Sequence, residues 1–231
     1  MSDSDVYNPL DKINLARSIE QELLGRPVMP LAHAGGISGA GVYVIYYTGP
    51  FSAYAPIATP RPEKPGARPI YIGKAIPKGG RKGGLSEASS ASGNALGSRL
   101  RQHISSVDEA SNLDLADFHV RYLVVDDIWI PLGENMLIET FRPVWNRAID
   151  GFGNKDPGAR RKTQLTSPWD VLHPGRGAAK NTTPSPSLTP ELLIARVEDY
   201  FAGRQLKPLP KAVQEQQAEQ QSQIEEAADD A

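Results

Sequence analysis

The sequence predicts an α+β domain built on a small central antiparallel sheet of three strands, flanked by helices. Three observations lead there. The runs Gly41-Val42-Tyr43-Val44-Ile45-Tyr46-Tyr47 and Pro69-Ile70-Tyr71-Ile72-Gly73-Lys74 have the β-branched and aromatic composition that suits a half-buried pleated strand. Residues 118–125 alternate well enough for a third strand. Several other segments place apolar residues at helical spacing. The first two runs are separated by a long stretch rich in Pro and Ala, so they read as antiparallel neighbours joined by an insertion and not by a tight hairpin.

Taken in order, residues 8–25 read as an amphipathic helix: Pro9 suits its first turn, Leu10, Ile13, Ala16, Ile19 and Leu23 recur at helical spacing, and Gly25 can close it. The glycine run 35–41 has the look of a phosphate loop. It lacks the Gly-Lys-Ser/Thr ending and precedes a strand, whereas such loops follow one, so no nucleotide cofactor is expected. The insertion 48–68, with Pro50, Pro56, Pro60, Pro62 and Pro65, cannot be regular structure. It is either a surface for DNA or a second copy, or a disordered excursion.

A second insertion, 75–97, carries Lys78, Arg81 and Lys82 among glycines. It suits a segment that orders on a phosphate backbone, or equally a plain flexible loop. Residues 98–107 form a short helix with Leu100, Ile104 and Val107 on one face, and Arg99 and His103 four apart on another. After the third strand, Pro131 opens a helix over 132–141 that Pro143 ends, with Glu134 in its opening turn. The stretch 150–176 is polar, glycine-rich and basic. Its Asn154, Lys155, Arg160, Arg161, Lys162 and Gln164 are side chains of the kind that read base edges in a major groove. Thr189-Pro190 opens another helix, with Leu192, Leu193, Val197 and Phe201 inward. The organisation expected is one domain over 1–210 and a disordered, acidic Gln/Glu-rich tail over 211–231.

Composition narrows the function. The chain of 231 residues has no cysteine, which excludes disulfides, thiolate zinc sites and a cysteine nucleophile. No apolar run approaches membrane-spanning length and the start Met1-Ser2-Asp3-Ser4-Asp5 has no signal-peptide pattern, so a cytoplasmic protein with no membrane partner is expected. The net charge of −2 conceals a polarity: residues 212–231 hold six acidic side chains and no basic one, leaving +4 on the rest. Residues 61–101, Arg101 included, hold nine basic side chains against Glu63 and Glu87, a block that fits contact with a polyanion.

Paired tyrosines on adjacent strands are, by themselves, ordinary sheet packing. Four ordered pieces change that reading: Gly41-Val42-Tyr43, Tyr71-Ile72-Gly73-Lys74, the Arg99/His103 pair, and Gly133-Glu134-Asn135-Met136-Leu137-Ile138-Glu139 followed by Arg142-Pro143-Val144-Trp145-Asn146. In that order and at that spacing they resemble the GIY-YIG nuclease superfamily, with Val42 where the name has Ile. Aligned on Leu137-Ile138 and Pro143, the family's metal ligand falls on Glu134 rather than the rival Glu139, and its asparagine on Asn146. Over residues 41–176 the chain most resembles type II restriction endonucleases of the branch that cuts the palindrome CCGCGG.

That resemblance implies a GIY-YIG-like fold with inserted loops and helical additions at both ends, and a catalytic set of Tyr43, Tyr71, Lys74, Arg99, His103, Glu134 and Asn146. Glu134 would hold one Mg²⁺ (or Mn²⁺) per active site, with phosphate oxygens and water completing the shell. Arg99, planar and always charged, suits a phosphate whose charge grows in the transition state. Tyr43 would act in the general base, and needs help because free tyrosine has a pKa of about 10. His103 is either the base or the acceptor of the Tyr43 proton. Tyr71 and Asn146 would position phosphate or water and hold the site together. The substrate implied is double-stranded DNA, cut by a homodimer on a palindromic site as part of a restriction-modification system. The alternatives are a structure-selective or repair nuclease, and a DNA-binding module that kept the fold without activity.

Overall fold

The sheet runs β1-β4-β2-β3, with β1 at Met29–Pro30, β2 at Gly41–Tyr47, β3 at Tyr71–Ala75 and β4 at Phe118–Val124. Every neighbouring pair is antiparallel. The structure is a computed structural model, and it describes residues 8, 11–76, 93–154 and 164–216. The three expected strands are present. The fourth corrects the count: Met29 pairs with Val120 and Pro30 with His119, a strand too short and too close to a proline to show any period.

The sheet is surrounded by helices α1 Lys12–Gly25, α2 Ala95–Asp108, α3 Ile130–Phe141, α4 Val144–Arg147, α5 Pro168–Leu172 and α6 Pro190–Phe201. The first starts later than expected because Asp11, not a residue near Pro9, caps it, accepting from the Ile13 amide at 3.3 Å. Helix α3 starts earlier, at Ile130, so Glu134 lies in its second turn and not its opening one. Arg142, in left-handed conformation at φ 45°, closes α3 ahead of Pro143. Thr189 caps α6, whose Leu193 and Val197 fill the core; Leu192, expected inward, is exposed.

Central strand β2 is buried on both faces, which is why its apolar run is unbroken. Side-chain alternation sends Tyr43, Ile45 and Tyr47 into one core with Leu100 and Val107 of α2, Trp145 and Trp169. Val42, Val44 and Tyr46 enter a second core with Leu23 of α1 and Ile130 and Leu137 of α3. Buried Arg121 ties the layers around the second core, donating to the carbonyls of Leu24 at 2.8 Å and Glu63 at 2.9 Å.

The proline-rich insertion is not a surface excursion. Its Ala53, Tyr54 and Ile57 are core residues around a 3₁₀ turn at Ser52–Tyr54. The Tyr54 hydroxyl meets His173 Nε2 at 2.6 Å and accepts from Trp145 Nε1 at 2.8 Å, while His173 Nδ1 meets Asn112 Oδ1 at 3.0 Å. The second insertion shrinks at both ends, since Ala75 ends β3 and α2 begins at Ala95. At the other end, residues 211–216, expected to begin a disordered tail, are helical, and Val213 is buried. No helix among the described residues is long and apolar enough to cross a membrane.

Candidate active site

Two antiparallel strands and one helix assemble the aromatic half of the site. Tyr43 of β2 lies opposite Gly73 of β3, and Tyr71 projects from the same face two residues away. Glycine at 73 is required by that pairing: a Cβ there would collide with the Tyr43 hydroxyl. The two phenol rings are 6.3 Å apart. Arg99 and His103, one turn apart on α2, reach down onto them.

The Tyr43 hydroxyl and His103 Nε2 are 2.6 Å apart, and both residues are fully buried. His103 Nδ1 has no hydrogen-bond partner among the described residues. Phe152 stacks on the imidazole at 4.3 Å with the rings 16° from parallel. Next to it Gly153, at φ 67°, leaves no room for a side chain: a Cβ would come within 2.6 Å of His103 Nδ1. The Gly153 carbonyl accepts from Arg99 Nη1 at 3.0 Å, and Gln102 Oε1 accepts from the same nitrogen at 2.9 Å.

The charged half lies on the other face of the sheet and meets the first at edge strand β3. Lys74 alternates with Ile72 on the face of the second core. Glu134 follows Ile130 and precedes Leu137 on the stripe of α3 that packs there. Lys74 Nζ and the Glu134 carboxylate are 2.6 Å apart, with the carboxylate mostly covered and the ammonium half-exposed. Glu139, the rival carboxylate, is exposed and paired with Arg147.

Electrostatics sets the protonation of this cluster. Burial pushes Tyr43 well above the ordinary tyrosine value, and Tyr71 and the Glu134 charge push the same way, against Arg99. Tyr71 is raised too, by burial and Glu134, while Arg99 and hydrogen bonding to Tyr43 pull it down. Burial, then Arg99 and Arg176, hold His103 well below its usual value. The free protein therefore holds neutral phenols against a neutral imidazole, with the Arg99 cation beside them.

Asn146 holds the strand that carries Tyr71. Its amide accepts from the Ile72 N–H at 2.9 Å and donates to the Ile72 carbonyl at 2.8 Å, clamping the outer edge of β3. Of the candidate DNA contacts, Arg101 is exposed, and its guanidinium donates to the Gly35 carbonyl. Asn154 and Arg101 line a groove of about 420 Å³ along α2, with Gln102, Ser105, Glu109 and Arg176. Gln164 is partly buried near Leu165 and Thr182. Lys78, Arg81, Lys82, Lys155, Arg160, Arg161 and Lys162 lie outside the described residues.

Sequence reasoning missed Phe152, Gly153, Asp170 and Arg176 as parts of this neighbourhood. The one signal for the first two is an aromatic bracketed by glycines, Gly151-Phe152-Gly153, within a stretch whose polar and basic side chains drew the reading toward base contact.

A one-carboxylate metal site fits what is present. Glu134 offers a hard oxygen donor at the rim, and no group of three or more His, Asp or Glu that could cage an ion occurs among the described residues. Residues 36–201 match the family model described as the Eco29kI GIY-YIG domain. No curated protein matches the chain.

Proposed function

Because the chain belongs to the Eco29kI GIY-YIG family, whose domain is a nuclease domain, we propose that it is a type II restriction endonuclease. It hydrolyses phosphodiester bonds of double-stranded DNA at a palindromic, GC-rich site such as CCGCGG, as a homodimer in a restriction-modification system. The observation that carries this reading is the 2.6 Å contact between the Tyr43 hydroxyl and His103 Nε2, with Arg99 beside it.

In this reading the base is a chain of groups. Tyr71 stands partly buried beside Tyr43, its ring 6.3 Å away, and Tyr43 meets the buried imidazole. A water attacking phosphorus gives its proton to this chain as the bond to the 3′ oxygen breaks, and the proton comes to rest on His103 Nε2. In the free protein burial disfavours that resting place, and the Arg99 and Arg176 charges add to it. A bound phosphodiester beside Arg99 offsets the charge, so substrate itself readies the histidine. Arg99 then neutralises the growing charge on the phosphoryl oxygens. Glu134, paired with Lys74 in the free protein, would hold one Mg²⁺ or Mn²⁺, and the ion would supply Lewis-acid stabilisation of the leaving 3′ oxygen.

Plasmid digestion with and without Mg²⁺, followed by mapping of the ends, tests the proposal. Discrete fragments with one end sequence are expected. Cuts confined to flaps or lesions would make it a structure-selective or repair enzyme, and retardation without cutting a binding module.

A further inference from the structure

The mechanism above uses Arg99 and His103 but not the buried cation behind them. Arg176, only 5% exposed, follows α5 and points back under α2. Its Nε and Nη2 grip the Asp170 carboxylate at 2.8 and 2.6 Å. Nη1 donates to the Asn154 carbonyl at 2.9 Å and to Ser106 Oγ of α2 at 3.4 Å, and Nη2 donates also to the Gly151 carbonyl at 3.2 Å. A guanidinium has five N–H donors, and these acceptors take all of them. Asp170 is itself held by Ser167, whose hydroxyl donates to it at 2.7 Å.

The two carbonyls that Arg176 holds belong to Gly151 and Asn154, the residues on either side of Phe152-Gly153. Phe152 is the ring stacked on His103, and Gly153 supplies the carbonyl that Arg99 grips. One side chain thus fixes both ends of a four-residue loop whose middle touches both functional groups of α2. A base-reading arginine would project to solvent; this one is enclosed, with Trp169 against its guanidinium at 5.3 Å.

We propose that Arg176 is a positioning residue of the active site: its fork pins residues 151–154 to α2, so that Phe152 closes over His103 and the Gly153 carbonyl aims Arg99. This rests on the nuclease reading and adds a residue to it. The groups facing His103 are Tyr43 from β2, Tyr71 from β3, Arg99 from its own helix, and Arg176 from beyond α5.

Two variants test the proposal. Arg176→Met removes the fork and strands the buried Asp170 carboxylate, which can unfold the chain. Arg176→Lys keeps a charge opposite Asp170 but, as a point donor, cannot reach the carboxylate and both carbonyls together. The expected result for Arg176→Lys is a folded protein with unchanged DNA affinity in Ca²⁺ and a single-turnover cleavage rate lower by about 100-fold, the scale of a misplaced catalytic group. ¹⁵N-resolved spectra should show the His103 ring and Arg99 side-chain signals displaced. Wild-type rates in Arg176→Lys, or affinity falling in step with rate, would overturn the proposal, the second by making Arg176 a DNA contact. If the wild-type chain cleaves no DNA, the nuclease reading fails by itself. The spectra then decide: displaced signals support positioning, and unmoved ones refute it.

Discussion

Glu134→Gln keeps the shape of the side chain and removes its charge, so it separates chemistry from architecture. Cleavage should vanish while gel retardation of DNA persists; loss of both together would mark a structural glutamate holding Lys74. His103→Ala should slow cleavage by about 100-fold or more, the usual worth of a positioned acid-base group, and change the shape of the pH-rate profile. An unaltered profile would remove His103 from the base. The sign follows from burial: the imidazole is neutral in the free protein and its neutral form is the one that accepts a proton, so activity should fall on the acid side. At this scale, the grouping of Tyr43, Tyr71, Arg99, His103 and Glu134 was legible because each stands in one of the ordered pieces that resemble the superfamily's motifs. Arg176 and Phe152 were not, because the partners that tie them to α2 lie dozens of residues away and only the folded chain brings them together.

Among elements, the proline-rich insertion behaves least as its composition suggests. A segment with no helical or strand period still buries Tyr54, because a tyrosine whose hydroxyl is satisfied by Trp145 and His173 can enter a core. Periodicity carries no information about such docking, and this is why the segment read as an excursion. Its anchor makes stability pH-dependent. Burial lowers the folded His173 value from 6.5 to about 3. The unfolded chain therefore binds a proton that the folded chain refuses throughout that window. Stability contributed by neutral His173 is complete above pH 6.5 and is lost as pH falls toward 3, by about 1.4 kcal/mol per unit. Urea midpoints measured across that range should fall steeply, and His173→Gln should show a slope shallower by one proton. Equal slopes would mean that His173 titrates normally in the folded state. The long helices α1, α2, α3 and α6, by contrast, were readable to within a few residues, since capping side chains and prolines mark their ends locally; the short α4 and α5, with too few residues to show a period, were not.

For the whole molecule, class and layering followed from the pattern of apolar runs, and the strand count did not, because Met29–Pro30 is too short to leave one. Convergence of the site was partly visible: the pieces that the sequence strings together do meet, but on the two faces of one sheet around strand β3. If the proposed palindromic target is right, light scattering should find two chains per duplex, each with one nicking centre. A single chain per duplex would argue for a nuclease that works one strand at a time.

The way the sheet ends restricts how two such chains can join. On one side β1 offers just two residues, one of them a proline without an N–H. On the other, the Asn146 amide occupies the Ile72 main chain and the Trp145 N–H takes the Ile70 carbonyl. The two-residue β1 and the occupied Ile70–Ile72 main chain of β3 leave little room for an incoming strand among the described residues. In the proposed dimer, contact through side chains of helices or loops would form and part without unravelling the strand that bears Tyr71.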